Sequence, residues 1–357
     1  MPSREQLIKP FVVPVFIPHA GCPHRCAFCN QHSTTGQGTS MPTVSAIRTA
    51  IQDFLAHRRD PRRPTEIAFY GGSFLGLPRE QVQLLLTTAT RFVQQGQADG
   101  IRFSTRPDTI DPPRLAWLAP FPVTTVELGV QSMSDPVLES VDRGHTAADT
   151  CRAIALLKAR PYQLGLQMMV GLPGDTPEAS LATAHQLAGL APDFVRIYPA
   201  LVLRGSRLAR WYLRGQYTPM DLEATVTLVA ALFQIFARHA IPVIRMGLQA
   251  TANLTDSDQI IAGPFHPAFG ERVHSAVWLD AIARHLERHG LQNTEIHIDA
   301  PTRLLSQIKG ALDANRRSLM DRFQLSGMAV RADGELPEDR VLINGIACRK
   351  LSALIED

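Results

Sequence analysis

Three of the five cysteines in this chain lie within eight residues of each other, at Cys22, Cys26 and Cys29. Thiolates are soft ligands that bind zinc or iron–sulfur clusters. A closed zinc site needs four ligands, and a four-iron cluster commonly takes four cysteines. The remaining thiols, Cys151 and Cys348, stand far away in the sequence. Three local thiols therefore predict a cluster with one iron left open to bind a small molecule.

Two other uses of the three thiols compete with this prediction. A zinc knuckle would take His24 or His32 as its fourth ligand, and the chain would then be a non-catalytic, zinc-stabilised RNA-binding protein. A disulfide scaffold is disfavoured because the cysteine content is low and no secretory context is visible. Cys151, on a helix predicted from Ala147 to Ala159, is interpreted as a buried structural thiol.

The elements that position the cysteines are apolar runs alternating with helical patterns. Phe11–Ile17 is typical of a buried strand and ends just before the cysteines, and the next strand ends in Gly71-Gly72-Ser73. Strand–helix alternation predicts parallel strands joined by right-handed crossovers. The predicted barrel strands cover residues 11–17, 66–70, 101–105, 125–131, 163–170 and 193–197, followed by a last core strand and its loop over 241–249.

The fold class predicted from this alternation is α/β, a partial (β/α)6 TIM-like barrel with a small α+β C-terminal extension. Residues 1–10 form a lead-in, residues 11–270 the barrel and residues 271–357 the extension. The extension contains a helix over 301–323 and a turn or hairpin at Asp333-Gly334. Sites in such barrels form at the C-terminal face of the strands, where the cysteines and glycines stand.

Composition and charge restrict the class of protein. The 357 residues are 45% apolar with a net charge of +3, an ordinary globular balance that does not by itself imply nucleic acid. No run of about 18 apolar residues is present, so we expect no membrane span. The first residues have no signal-peptide core, and a cytoplasmic location is expected.

The spacing of Cys22, Cys26 and Cys29, with the aromatic Phe28, resembles the signature of the radical S-adenosylmethionine (SAM) superfamily. Glu-Leu-Gly-Val-Gln-Ser at 127–132 and Arg-Gly-His-Thr at 143–146 resemble the radical-SAM half of the Elongator catalytic subunit. The resemblance covers roughly residues 10 to 270. The tail shows no acetyl-CoA-type phosphate loop, which favours a stand-alone bacterial-type member without the acetyltransferase domain.

The resemblance implies an enzyme in which the three cysteines hold a 4Fe–4S cluster and the open iron chelates SAM. One electron would cleave SAM to a 5′-deoxyadenosyl radical that abstracts hydrogen from an organic substrate. It also implies the SAM contacts: the methionine moiety at Gly71, Gly72 and Ser73, the ribose and carboxylate at Glu127, Gln131 and Arg143, and the adenine near the backbone of Phe28. The residues alone leave a second interpretation of Glu127 open, a salt bridge in the core, because an unpaired buried charge is costly.

The substrate is open at the level of sequence. A tRNA base is the first hypothesis, from the subgroup resemblance and the arginine-rich loop at residues 58–63, with a solvated turn as the alternative interpretation of that loop. Gly-Leu-Pro-Gly at 171–174 also occurs in coproporphyrinogen-oxidase-like enzymes that act on a small molecule, although Gln167 replaces an aspartate common there. Substrate contacts are predicted at Gln167, Arg196 and Tyr198. A flavodoxin- or ferredoxin-like electron donor is expected, and neither a catalytic residue nor an oligomeric state is predicted.

Overall fold

The computed structural model describes residues 10–17, 21–30, 41–248 and 259–351. Most of the predicted lead-in, His32 and Gln249 lie outside these ranges. The strands of the first part are β1 Phe11–Ile17, β2 Thr65–Gly71, β3 Gly100–Thr105, β4 Val123–Gln131, β5 Gln163–Val170, β6 Phe194–Pro199, β7 Val202–Leu203, β8 Val243–Met246 and β9 Ile260–Ala262.

Seven of these strands form one parallel sheet in the order β1-β2-β3-β4-β5-β6-β8. Each strand is joined to the next through helical connections, and every neighbouring pair is parallel. The curled sheet is a half-barrel, which confirms the predicted partial TIM-like fold. Strands β7 and β9 pair with each other in a separate antiparallel ribbon.

The helices of the barrel begin at the polar residues that a sequence would choose as caps. Thr43 accepts a hydrogen bond from the Ala46 N–H, and Thr176 caps a helix that opens with Pro177. The helices between the strands are Val44–Leu55, Arg79–Gln94, Pro112–Leu118, Asp135–Ser140, Ala147–Lys158, Pro177–Gly189, Arg207–Leu213 and Leu222–Arg238. None of the helices in the described part is long and apolar enough to cross a membrane.

The helix Phe269–Arg288, called the bridging helix here, belongs to two hydrophobic cores. Phe269 and Val277 pack into the core of the barrel. Trp278 and Leu286 pack into a second core, which belongs to the C-terminal sheet. The helix therefore crosses the boundary predicted at residue 270, and that boundary stays a prediction.

The C-terminal sheet has the strands β10 Glu295–Ala300, β11 Gly327–Ala332, β12 Arg340–Ile343 and β13 Ile346–Arg349, in the order β11-β10-β12-β13. The turn predicted at Asp333-Gly334 is present, but it does not form a hairpin, because β11 pairs in parallel with β10 and is not a neighbour of β12. The hairpin joins β12 to β13 instead. Its turn is Asn344-Gly345, where both φ angles are positive as a two-residue hairpin turn requires.

The continuous helix predicted over 301–323 is wrong. It is broken into Leu305–Lys309 and Ala314–Phe323. Gly310 lies between them with φ 75°, and the Cβ of any other residue there would lie 2.8 Å from the Asn315 backbone nitrogen. The break follows from this backbone turn, which a helix-period pattern alone does not reveal.

Candidate active site

The loop that carries the three cysteines, residues 21–30, follows β1 at the C-terminal edge of the sheet. Its centre is fixed by backbone hydrogen bonds. The Ala27 N–H donates to the Val141 carbonyl at 2.9 Å, and the Ala27 carbonyl accepts from the Leu208 N–H at 2.8 Å. Ala27 is fully buried. The loop is therefore attached to the segments that follow β4 and β6.

The sulfurs of Cys22 and Cys26 receive hydrogen bonds from the surrounding protein. The Ser73 N–H donates to Cys22 Sγ at 3.3 Å. Arg143 Nη1 lies 3.3 Å and Arg106 Nη1 lies 3.8 Å from Cys26 Sγ. Burial raises the pKa of the Cys22 thiol, and the Ser73 N–H and the Arg143 charge act in the opposite direction. These donors would stabilise thiolates more than thiols.

The three cysteines do not form a ready metal-binding group in the described part of the chain. Within the described ranges, no three His, Cys, Asp or Glu side chains are grouped so as to hold a metal ion. Cys26 is buried, whereas Cys22 and Cys29 are half-buried. His24, the other described candidate for a zinc ligand, lies 3.8 Å from Asp108 instead.

The glycine turn after β2 packs directly under the cysteine loop. A Cβ on Gly71 would lie 2.3 Å from the Ile17 carbonyl oxygen, and φ at Gly71 is +112°. A Cβ on Gly76 would lie 1.8 Å from the Gly21 carbonyl oxygen. The Gly72 N–H donates to the Ile17 carbonyl at 3.3 Å. The two predicted motifs thus touch through their backbones, and only glycine permits this approach.

The side chain of Ser73 also forms hydrogen bonds at this edge of the sheet. Its hydroxyl lies 3.0 Å from Thr105 Oγ1 and accepts from the Arg106 N–H at 3.2 Å. Phe28 packs, partly buried, against apolar side chains that include Leu172 and Leu208. Both residues lie beside the cysteines, and the SAM contacts that the resemblance implies for them stay predictions.

Gln131 and Arg143 lie at the end of β4 with polar atoms that no described residue satisfies. Gln131 has φ 72°, rare for a residue other than glycine, and the strand register shifts between Gly129 and Gln131. Gln131 Oε1 and Arg143 Nε are buried without a hydrogen-bond partner. Arg143 Nη2 donates to the Gly129 carbonyl at 2.5 Å. A strained residue and two unsatisfied buried atoms beside three thiols are typical of a ligand site.

Sequence reasoning missed two buried charged or titratable residues at this edge, Arg106 and His145. Arg106 is bound to Asp108 through Nε at 2.8 Å and reaches Cys26. Burial, with Arg143 and Arg106 beside the ring, lowers the pKa of His145 to about 3, so its imidazole is neutral. Arg-Pro-Asp directly after a predicted strand was the signal that could have indicated Arg106, because charged residues at that edge face the site.

Glu127 lies at the centre of a buried ion-pair cluster inside the barrel. It is fully buried, and its Oε1 accepts from Arg102 Nη1 and from Arg196 Nη2, each at 3.0 Å. Tyr70 donates to the same oxygen at 3.1 Å, and Gln167 donates to Oε2 at 2.9 Å. Burial alone would raise the pKa of Glu127, but Arg196 and Arg102 lower it. Both oxygens have protein partners, which favours the salt-bridge interpretation over the SAM contact.

The cluster continues toward the bottom of the barrel through Glu66. Arg102 Nε donates to Glu66 Oε2 at 2.8 Å, and Thr124 and Thr125 donate to Glu66 Oε1 at 2.7 Å each. Two carboxylates and two guanidiniums therefore alternate across strands β2, β3, β4 and β6. Such a buried set is tolerated only when every member has its partners.

The three predicted substrate contacts fall on β5 and β6. Gln167 and Arg196 are neighbours in the sheet and both bind Glu127. Burial raises the pKa of Tyr198, and its hydroxyl interacts with Arg196. Arg196 is the least buried of the four charged residues in the cluster, with 13% of its side chain exposed. The structure therefore brings the three together, with Arg196 at the solvent side.

Two other predictions do not reach the site. Cys151 is exposed, and its interpretation as a buried thiol is wrong. Residues 57–64 precede β2, so the arginine-rich loop lies at the N-terminal edge of the sheet, opposite the cysteines. Arg58 and Arg63 donate to backbone carbonyls in and near that loop, and Arg62 pairs with Asp60. These contacts favour the solvated-turn interpretation.

Comparison with known sequences finds several relatives of this chain. The tRNA uridine(34) acetyltransferase of Dehalococcoides mccartyi is 26% identical over 246 residues, which are 58% of this chain and 52% of that protein. Human Elongator complex protein 3 is 26% identical over 267 residues, 62% of this chain and 49% of that protein. The chain thus spans about half the length of these relatives. An uncharacterised Methanocaldococcus jannaschii protein is 28% identical over 66% of this chain and 74% of its own length.

The fold has a solved counterpart in the archaeal Elp3 of Methanocaldococcus infernus with an N-terminal deletion. The TM-score is 0.57 at 22% sequence identity, and the match covers 79% of this chain and 63% of that one. Residues 192–278 match the radical SAM C-terminal domain. Residues 16–187, which include the cysteine loop, the glycine turn, Gln131 and Arg143, match the radical SAM superfamily. The chain is an enzyme that belongs to the radical SAM superfamily.

Proposed function

We propose that this enzyme holds a 4Fe–4S cluster on Cys22, Cys26 and Cys29, binds SAM beside it, and modifies a base of tRNA. The observation that carries the proposal is the pair of unsatisfied buried atoms, Gln131 Oε1 and Arg143 Nε, next to the cysteine loop. Buried polar atoms in protein interiors normally have hydrogen-bond partners, so a polar ligand is expected beside these two atoms.

The residues at this edge fit the chemistry of the cluster and of SAM. Three thiols are the right donors for an iron–sulfur cluster that keeps one iron open. Two guanidiniums, those of Arg143 and Arg106, lie against Cys26 Sγ and would offset the negative charge of thiolates. The backbone hydrogen bonds of Ala27 would anchor the loop that carries the three thiols.

Each residue then has a task toward the bound groups. When bound, the cluster and SAM supply the one-electron chemistry that yields the 5′-deoxyadenosyl radical. Gly71, Gly72 and Ser73 would contact the methionine moiety, as the resemblance implies. Gln131 and Arg143 orient the polar part of SAM with their free atoms, and Phe28 lines the adenine side.

Glu127 has a positioning task in this proposal. Its ion pairs fix the guanidinium of Arg196, whose solvent side, together with Tyr198, faces the place for a substrate. An anionic or hydrogen-bonding base would be recognised by such groups. The low-potential electron must come from outside, and we propose a flavodoxin- or ferredoxin-like donor.

The tRNA substrate is supported by the names of the relatives, which include tRNA uridine(34) acetyltransferases. The matched regions are 52% and 24% of these two proteins, so their whole activity does not transfer. A modification of a tRNA base that uses only the radical chemistry is the part consistent with the matched residues 16–278.

The proposal is tested by anaerobic reconstitution with iron and sulfide, followed by dithionite and SAM. Wild type should take up about four irons and release 5′-deoxyadenosine. Cys26→Ala should lose both, whereas Cys151→Ala, which removes an exposed thiol outside the site, should behave as wild type. Uptake of zinc with intact SAM would replace the proposal by the zinc-stabilised RNA-binding alternative.

The substrate is tested separately in the same reaction. Addition of unmodified tRNA should increase 5′-deoxyadenosine formation and should change the mass of a nucleoside after digestion. Cleavage of SAM that tRNA leaves unaltered, with all nucleoside masses unchanged, would contradict the tRNA substrate and favour a small molecule.

A further inference from the structure

A basic pocket lies in the C-terminal extension, between the end of the bridging helix and the edge strand β13. It encloses about 360 Å³ of empty space, part of it open to solvent. From the helix it is lined by Arg284, His285, Arg288 and His289, and from β13 by Cys348 and Arg349. The lining lies beyond residue 278 and thus outside both regions matched to the superfamily.

The helical residues of the pocket form one stripe. Ala281, the pair Arg284 and His285, and the pair Arg288 and His289 recur at spacings of three and four, so they share one face of the helix. His285 and His289 lie with ring centroids 4.4 Å apart. The stripe faces β13, where Cys348 Sγ lies 3.7 Å from the Ala281 carbonyl.

Most of the residues that line the pocket are basic. Three guanidiniums and two imidazoles line it, and no carboxylate does. Asp280 pairs with Arg284 from outside the lining, and Glu287 pairs with Arg322. No carboxylate in the described ranges lies within 4.0 Å of Arg288.

A helix end with one basic residue needs no ligand, because the partial negative charge of the last carbonyls favours cations. Here the basic residues extend over two turns, and one of them is buried. His285 is 6% exposed, and its Nε2 has no hydrogen-bond partner. Burial, together with His289 and Arg288, lowers the pKa of His285 to about 4. A buried ring nitrogen without a partner, beside basic side chains, indicates that a hydrogen-bonding group is missing.

A metal ion does not explain the pocket. His285, His289 and Cys348 are not arranged as a ligand set, since the described chain has no group of three such residues fit to hold a metal. Burial raises the pKa of Cys348 to about 11, so it stays a thiol. Guanidiniums and imidazoles are instead the groups that bind phosphate oxygens.

We propose that this pocket binds a phosphate group, either one in the backbone of an RNA or a free phosphate or pyrophosphate ion. Arg288, His289 and Arg349 form an exposed rim that contacts the phosphate from solvent, and buried His285 donates from the floor. The open rim favours a phosphate within a chain, which would give the proposed tRNA substrate a contact outside the barrel. The phosphate site itself does not depend on that proposal.

The test compares Arg288→Gln with Arg331→Gln. Both remove one charge from an exposed arginine of the C-terminal sheet region, but Arg331 lies on β11, at the opposite edge of the sheet from β13. Titration calorimetry measures binding of inorganic phosphate and of pyrophosphate. Fluorescence anisotropy measures binding of a labelled tRNA transcript to the full chain at 50 and 200 mM salt.

Arg288→Gln should weaken tRNA binding about tenfold and should lower the slope of log affinity against log salt by about one, while Arg331→Gln changes neither. Loss of phosphate and pyrophosphate binding with unchanged tRNA affinity would support the site with the free ion as its ligand. Equal behaviour of the two variants with every probe would overturn the proposal.

SAM cleavage without RNA separates this proposal from the proposed function. Both variants should release 5′-deoxyadenosine at the wild-type rate, because neither residue lies in the barrel. Failure of wild type to cleave SAM would count against the proposed function and would leave the phosphate measurements valid.

Discussion

Glu127→Gln is the substitution that most directly tests the architecture of the barrel. Glutamine keeps the shape of the side chain but removes the charge that holds Arg102 and Arg196. Both guanidiniums would remain inside, where the two arginine side chains are 2% and 13% exposed. Removal of one partner from a buried ion pair costs about 3–5 kcal/mol of the free energy of unfolding.

The expected change in melting temperature follows from the size of the chain. With an unfolding entropy of about 2.1 cal/mol/K per residue, 357 residues give about 0.7 kcal/mol/K, and Tm should fall by about 4–7 °C. Thermal unfolding at pH 7, followed by circular dichroism, measures this shift. Glu338→Gln is the control, because Glu338 forms an exposed pair with Arg303 and should leave Tm unchanged.

The same variant separates a positioning task from a SAM contact. If Glu127 binds only protein, Glu127→Gln should lower Tm while SAM affinity changes little at a temperature where the variant is folded. The double variant with Arg196→Gln should then cost less than the two single variants together, by about 1 kcal/mol or more. An unchanged Tm combined with lost SAM binding would refute the ion-pair reasoning and restore the contact implied by the resemblance.

Two further substitutions test the site and the extension. Gly76→Ala should lower Tm and iron uptake together, because its Cβ would lie 1.8 Å from the Gly21 carbonyl oxygen; Gly189→Ala, with open space around it, is the control for both readouts. His274 has its pKa lowered to about 4 by burial and by a neighbouring lysine, so the unfolded chain binds the extra proton between about pH 6.5 and 4. As the pH falls through that range, the free energy of unfolding of wild type should therefore decrease by roughly 1.4 kcal/mol per pH unit because of this residue. His274→Gln should flatten the curve of Tm against pH. If His274→Gln left the curve of Tm against pH unaltered, the neutral histidine at position 274 would be contradicted. If Gly76→Ala and Gly189→Ala had equal effects, the tight packing of the two loops at Gly76 would be contradicted.

The cysteine loop and the glycine turn could be predicted from the sequence because their signals are local. Three thiols within eight residues and two glycines after an apolar run need no knowledge of the rest of the fold. Parallel strand–helix alternation then places both at the same edge of the sheet. Their direct backbone contact, at Gly21 and Gly76, was not predictable, because it depends on how β1 and β2 end against each other.

The ion-pair cluster was only half visible in the sequence. Glu127 was conspicuous as a charge in an apolar strand, and a salt bridge was one of its two interpretations. Its partners Arg102 and Tyr70 come from other strands, and the sheet register decides which side chains meet inside the barrel. A single sequence contains the residues of such a cluster but not the register.

Cys151 shows a second limit, which concerns the face of a helix. The helix itself was predicted, and it extends over Ala147–Lys158. Its buried stripe contains Thr150, Ala153, Ile154 and Leu157, at helical spacing, and Cys151 lies beside that stripe. The general tendency of cysteine to be buried was the wrong guide, because the periodicity of the apolar residues decides the orientation.

The barrel contains two polar layers, the ion-pair cluster around Glu127 and the group of Gln131 and Arg143 at the edge above it. In the lower layer, both oxygens of Glu127 have partners, and two arginines balance two glutamates. At the edge above it, Gln131 keeps a positive φ and an unpartnered oxygen, each of which costs about 1–3 kcal/mol. Stability alone gives no reason for a fold to keep these costs. A bound polar group that accepts the bond of Arg143 Nε and donates to Gln131 Oε1 would remove them, and SAM has a carboxylate and hydroxyl groups for both.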